Sequence, residues 1–161
     1  MSTRLVRATE GDTYDHLGLR LRMRLTGEDT AGSLALIEHI GRRGTGPPLH
    51  RHAREDETFI VLDGDLDGWS DDDHTVVTAG DTLHLPAGSE HAFRVRSETA
   101  RFLVLITPAG FERFFISDGT PSDPDAQLPP VPGPPPVEAV ERLAQILSGY
   151  DVAITGPPPT P

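Results

Sequence analysis

Residues 47–64, PPLHRHAREDETFIVLDG, carry most of the information about this 161-residue chain. Two histidines, His50 and His52, stand one residue apart, and a β-prone apolar run begins at Glu57. Because successive side chains of a strand point to opposite faces, both imidazoles lie on one face. Glu57 shares a face with Phe59, which favours burial, so its carboxylate is expected to point inward. A turn between the two strands would then bring the imidazoles and the carboxylate together.

A second stretch, residues 80–95 (GDTLHLPAGSEHAFRV), supplies another histidine. His91 follows a Pro-x-Gly turn and alternates with Phe93 and Val95, so it too is expected to point inward. Taken alone, each histidine is more often a hydrogen-bonded core residue than a ligand. Together with a glutamate, the three form a ligand set for a divalent first-row metal, with positions left for water, substrate or O₂. The predicted metal ligands are His50, His52, Glu57 and His91.

The rest of the first 120 residues predicts short strands separated by Gly, Pro and Asp turns. The clearest strand patterns are residues 17–25, 32–40, 58–62, 65–70, 75–77, 82–85, 91–95 and 101–107. Helical periodicity is almost absent before residue 137, and a parallel α/β fold is disfavoured because the crossover helices it needs are missing. The pattern favours an all-β sandwich or barrel.

The C-terminal part of the chain has a different composition. Residues 121–136 are rich in proline and predict an extended linker. Apolar residues in 137–148 recur at i, i+3, i+4 and i+7, as in an amphipathic helix. The predicted organisation is a β-barrel over 1–120, a linker over 121–136, and a helix and tail over 137–161 packed on the barrel.

Composition excludes several classes of function. With 14 basic and 25 acidic residues, the net charge of −11 argues against binding a phosphate backbone. The chain has no cysteine, so any metal must be held by nitrogen and oxygen ligands. No apolar run approaches the roughly 20 residues of a membrane span, and the N-terminal residues lack the apolar core of a signal peptide. These observations predict a cytoplasmic protein that binds neither nucleic acid nor membrane.

The two histidine stretches resemble the paired motifs of the cupin superfamily. The first motif, G-x-x-x-H-x-H-x-x-x-x-E-x-x-x-x-x-x-G, is carried by Gly46, His50, His52, Glu57 and Gly64. The second, G-x-x-x-x-x-P-x-G-x-x-H, is carried by Gly80, Pro86, Gly88 and His91. Val95 stands where many cupins have an asparagine, a position that is not a ligand in the family. Residues 25–158 further resemble small, single-domain cupins similar to quercetin dioxygenase.

This resemblance implies a jelly-roll β-barrel (a double-stranded β-helix) with a short C-terminal helix, often as a homodimer. It also implies one divalent transition metal (Fe, Mn, Ni, Co or Zn) and a small, aromatic substrate. In quercetinases the metal holds a flavonol that reacts with O₂, and the first-motif glutamate is both a ligand and a proton acceptor. Carried onto this chain, that residue is Glu57.

Three functions are compatible with the sequence. The first is a metal-dependent dioxygenase acting on a flavonol-like or other enolisable aromatic substrate. The second is a non-oxidative polyketide cyclase or isomerase, in which the metal acts as a Lewis acid. The third is a small-molecule-binding cupin without enzymatic activity.

The alternation of side chains along the strands also predicts which residues lie near the ligands. Residues expected at the substrate pocket are Phe59, Phe93, His84 and Glu38. His16 and His74 are expected to be solvent-exposed histidines in turns, and GFERFF (residues 110–115) is expected to close the barrel end by aromatic packing.

Overall fold

The computed structural model of the protein describes residues 3–160. The strands are β1 (Thr13–His16), β2 (Leu19–Leu25), β3 (Ala35–Arg42), β4 (Leu49–His52), β5 (Asp56–Asp63), β6 (Asp65–Ser70), β7 (Asp73–Thr78), β8 (Thr82–Leu85), β9 (Glu90–Val95), β10 (Thr99–Thr107), β11 (Thr120–Pro121) and β12 (Val152–Gly156). The helices are α1 (Gly27–Thr30), α2 (Glu112–Asp118) and α3 (Val137–Ser148).

The strands form two antiparallel sheets. One has seven strands in the order β11-β1-β2-β3-β10-β5-β8, and the other has five in the order β12-β4-β9-β6-β7. The all-β jelly roll predicted from the sequence is confirmed. The two sheets face each other and remain separate, so the predicted closed barrel is corrected to an open, two-layered arrangement.

The core lies between the two sheets. Along β10, Phe102, Val104 and Ile106 are almost completely buried, whereas Leu103 and Leu105 on the opposite face are half-buried. This alternation is the period of two that a strand imposes on its side chains. Phe102 packs against Phe59 from β5 and, across the core, against Phe93 from β9, so the aromatic side chains join the two layers.

Several elements were not predicted, among them α2 and β12. Residues 110–115 were expected to close a barrel end by aromatic packing; they enter helix α2, whose Phe114 is buried and stacks on Phe111. Strand β12 pairs with β4, adding an edge to the five-stranded sheet. The seven residues of α2 are too few to show a helical period, and β12 depends on a partner about 100 positions earlier in the chain.

Helix α3 is confirmed with the predicted limits, from Val137 to Ser148. Pro136 is its N-cap and Gly149 its C-cap, the usual punctuation of a helix. Its Leu147 is buried, and Leu143 packs against the core from one turn earlier. The preceding residues 122–136 form neither helix nor strand. Within residues 3–160, no helix has the length and apolar character needed to cross a bilayer.

Gly46 is required by backbone crowding just before β4. A Cβ at this position would collide with the carbonyl oxygen of Phe93. Backbone cannot move aside as a flexible side chain can, so we expect Gly46→Ala to lower the free energy of unfolding by about 3 kcal/mol or more. Gly133→Ala is the matched control, because a Cβ there meets no atom within 4 Å. Urea unfolding of both variants measures the difference, and equal stabilities would contradict the crowding.

Candidate metal centre

The four predicted ligands converge from both sheets. His50 and His52 lie on β4, and His50 pairs directly with His91 on the neighbouring strand β9. Glu57 lies near the start of β5 in the facing sheet. One candidate ligand atom from each of these residues lies within 4.8 Å of all the others. The arrangement joins a His-x-His pair, a third imidazole and a carboxylate at one point between the layers.

His52 is the member of the cluster whose polar atoms lack hydrogen-bond partners. Both ring nitrogens of His52 are buried without a hydrogen bond, although buried polar atoms are nearly always satisfied. His52 Nε2 lies 3.9 Å from Glu57 Oε2, and His91 Nε2 lies 3.1 Å from the same oxygen. A divalent cation between these atoms would satisfy them, so the donor set fits a metal ion.

Backbone carbonyls orient two of the imidazoles. His50 Nδ1 donates to Pro48 O at 2.9 Å, and His91 Nδ1 donates to Ser89 O at 3.1 Å. Each neutral ring therefore keeps a lone pair on Nε2, the tautomer that a metal requires. In that tautomer the Nε2 of His91 and the carboxylate of Glu57 are both acceptors and cannot bond to each other. Both could bind a cation that lies between them.

The cluster perturbs the pKa values of its members. Burial and the neighbouring His91 lower the pKa of His50 to about 4. Burial alone would raise the pKa of Glu57, but His52 and His91 hold it well below its usual range. Burial acts against protonation of His52, yet Glu57 and Glu55 raise its pKa above the usual value. The lowered pKa values favour an ionised Glu57 and a neutral His50, the forms that bind a metal, whereas a metal would have to displace the proton that the raised pKa of His52 favours.

Glu55 is a further member of the site. Glu55 lies two residues before Glu57 and lacks the spacing of the first cupin motif. It is buried, and its Oε2 lies 3.7 Å from His52 Nδ1, on the side of the ring away from Glu57. At this distance the two groups do not form a hydrogen bond, but the charge of the carboxylate raises the pKa of His52. No periodicity signals this role, because it depends on the path of the turn between β4 and β5.

An inner cavity of about 70 Å³ opens at His50 and Glu57. Its wall is largely apolar, and the predicted pocket residues Phe59 and Phe93 line it. Other lining residues come from the start and middle of α2 and from α3: Phe111, Phe114, Phe115, Leu143 and Leu147. The two helices after the last long strand therefore contribute to the cavity wall.

Two other residues expected at the pocket lie elsewhere. The Glu38 carboxylate lies 3.3 Å from an Arg101 nitrogen and 3.7 Å from one of Arg24, on the opposite side of β3 from the cavity. His84 is exposed on the edge strand β8 and contacts the Thr58 hydroxyl. Both corrections have the same cause: strand phase identifies the alternating faces, but not which face meets the other sheet.

Two other histidines line the cavity instead. His39, for which no position was predicted above, is 4% exposed and stacks on Phe102. His16 was expected in solvent; it is buried against Phe114 and Phe115. His74, in contrast, lies on β7 with 41% of its side chain exposed.

His39 makes the fold sensitive to acid. Burial lowers its pKa from 6.5 to about 4, so its contribution to stability is complete above pH 6.5 and is lost as the pH falls toward 4. The difference between the two pKa values corresponds to about 3 kcal/mol in the free energy of unfolding. Wild type loses unfolding free energy when the pH falls from 7 to 4. We expect His39→Leu to lose about 3 kcal/mol less than wild type over the same range. Urea unfolding with a chelator present measures it, with exposed His84→Leu as control; equal losses in both variants would contradict this role.

The fold and the cluster together define a class. Two facing antiparallel sheets, a His-x-His pair, a glutamate from the facing sheet and a later histidine are the features of a cupin. Residues 37–106 match the family described as Cupin domain, so this part of the chain is a cupin domain.

Individual relatives agree with this class. The chain is 27% identical over 130 residues to quercetin 2,3-dioxygenase of Bacillus subtilis strain 168. That alignment covers 81% of this chain but only 37% of the dioxygenase, so the chain spans little more than a third of that relative. Among solved structures, KdgF from Halomonas sp. matches with a TM-score of 0.63 and 17% identity, over 70% of this chain and 99% of KdgF. The polyketide cyclase RemF from Streptomyces resistomycificus matches with a TM-score of 0.58 and 22% identity, over 66% and 80% of the two chains. At these identities the structural matches establish the fold alone.

Proposed function

We propose that this cupin is a metal-dependent, quercetinase-like oxygenase that cleaves or oxidises a flavonol-like or other enolisable aromatic substrate with O₂. The observation that carries the proposal is the convergence of the Glu57 carboxylate and three imidazoles at the edge of an apolar cavity. The similarity to a quercetin 2,3-dioxygenase over most of this chain supports it.

The residues divide the work between holding a metal and moving a proton. His50, His52, Glu57 and His91 would hold one divalent ion, which would supply Lewis-acid and redox chemistry. Glu57 has a second role as general base. It accepts the proton of a substrate hydroxyl, and the O–H electron pair stays on the substrate oxygen as an enolate.

The cavity wall favours an aromatic substrate. Phe59 and Phe93 lie edge-to-face with ring centroids 5.4 Å apart, and Phe111 lies edge-on to His52 at 4.5 Å. Such surfaces bind a flat ring and exclude water from the carboxylate. Exclusion of water strengthens the electrostatic interactions at the reacting oxygen.

The test combines metal analysis with O₂ uptake. The purified protein is analysed for bound metal, reloaded separately with Fe, Mn, Co, Ni and Zn, and assayed with a panel of flavonols and catechols. We expect O₂ consumption with at least one redox-active metal and one flavonol. Absence of uptake with every loaded metal would refute the oxygenase proposal, and turnover under nitrogen would point to the cyclase or isomerase alternative.

The proposed enzyme works as a homodimer in the cytoplasm. Light scattering on the purified protein tests the dimer, and cell fractionation tests the location. A monomer at micromolar concentration would remove the dimer from the proposal without affecting the chemistry of the cluster.

A further inference from the structure

His16 lies where the inner cavity meets a second, larger depression. This outer groove has a volume of about 1010 Å³ and runs between the sheets, the Pro-rich segment and α3. The residues that line both the cavity and the groove are His16, Leu17, Pro48 and Leu143. Among these four, His16 alone has a side chain that forms hydrogen bonds. Any ligand that extends from the candidate centre into the groove therefore passes an imidazole.

Asp118 holds this imidazole in place. His16 is the last residue of β1, and its Nε2 donates to Asp118 Oδ2, at the end of α2, over 3.1 Å. The ring also packs edge-on against Phe114 and Phe115, with centroids 5.0 and 5.7 Å away. Burial lowers the pKa of His16, against the opposing effect of Asp118. The neutral ring with its proton on Nε2 has an acceptor at Nδ1.

The volumes of the cavity and the groove indicate which part of a substrate each can hold. Binding pockets for small molecules usually measure about 300–1,000 Å³, so the inner cavity of about 70 Å³ holds only the reacting end of an aromatic molecule. The remainder must extend past His16 into the groove. The other residues shared by the cavity and the groove are apolar, so His16 is the shared residue that can pair with a polar group on that remainder.

We propose that His16, oriented by Asp118, determines substrate specificity: its Nδ1 accepts a hydrogen bond from a second hydroxyl of a polyhydroxylated aromatic substrate whose first hydroxyl lies at Glu57. This inference rests on the proposed function and narrows its substrate class. It predicts that the protein distinguishes aromatic compounds by a hydroxyl distant from the reacting one.

The experiment compares two flavonols that differ in this respect. Quercetin carries hydroxyls beyond the one at position 3, whereas 3-hydroxyflavone carries that one alone. Each is titrated spectroscopically into metal-loaded wild type and into His16→Phe, which keeps an aromatic ring against Phe114 but removes the acceptor. We expect His16→Phe to weaken quercetin binding by about tenfold, the value of one hydrogen bond, and to leave 3-hydroxyflavone within about twofold.

Further variants separate binding from folding. Asp118→Ala retains His16 but frees its ring, and we expect a smaller loss that is again confined to quercetin. His74→Gln is the matched control, since His74 also pairs with an aspartate, Asp67 at 2.9 Å, but lies outside both cavities. Metal affinity is measured for every variant, and it should equal that of wild type.

The outcomes distinguish the two proposals. If wild type binds quercetin and His16→Phe binds both flavonols equally well, or loses both equally, the role of His16 is overturned while the proposed function stands. If wild type binds neither flavonol, the proposed function is overturned and the role of His16 with it.

Discussion

Glu57→Gln is expected to lower kcat by a factor of roughly 10² to 10⁴, the usual contribution of a general base. The amide keeps the size of the side chain but cannot accept the substrate proton, and it gives the metal a neutral oxygen in place of a carboxylate. We therefore also expect weaker metal binding. O₂ uptake with saturating metal measures the first effect, and calorimetric titration of the metal measures the second.

The control for this variant is Glu38→Gln. Glu38 is buried to the same degree as Glu57, 7% against 6% exposed, but its carboxylate faces Arg24 and Arg101 outside the cavity. We expect Glu38→Gln to keep the kcat of wild type, even if the variant is less stable. Unchanged kcat and metal affinity in Glu57→Gln would show that Glu57 is neither base nor ligand.

His52→Ala is expected to reduce metal affinity by more than about 100-fold. Loss of a group that only supports a ligand commonly costs 10- to 100-fold, and His52 is itself a candidate ligand with both ring nitrogens buried and unpartnered. Wild type should gain about 2.7 kcal/mol in unfolding free energy at a metal concentration 100 times Kd, a gain that His52→Ala should lose.

Thermal unfolding with and without metal measures this gain. His84→Ala is the control, because His84 is an exposed histidine on β8. If His52→Ala keeps the metal-induced rise in Tm, the cluster is not the binding site for that metal.

Much of the candidate centre was predictable from the alternation of side chains along a strand and from the turn between His52 and Glu57. The spacing of His50 and His52 requires a common face, and the phase of Glu57 relative to Phe59 turns the carboxylate inward. The structure brings these side chains and His91 within 4.8 Å of one another. That they bind a metal stays a prediction.

The errors arose where local sequence does not identify the buried face. Strand β3 is covered on one side by the core and on the other by arginine side chains, so Glu38 and His39 are both buried. Periodicity assigned Glu38 to the pocket, whereas the structure places its neighbour His39 there. The buried position of His16 depends on α2, which follows it by about 100 residues.

The sequence by itself determined the all-β class, the C-terminal helix and the four candidate ligands, because strand and helix periods are local properties. Only the tertiary structure decided that the sheets stay separate, that Glu55 lies behind His52, and that His16 and Asp118 meet where the cavity joins the groove. These features depend on contacts between distant segments, and a local period carries no information about which segments meet.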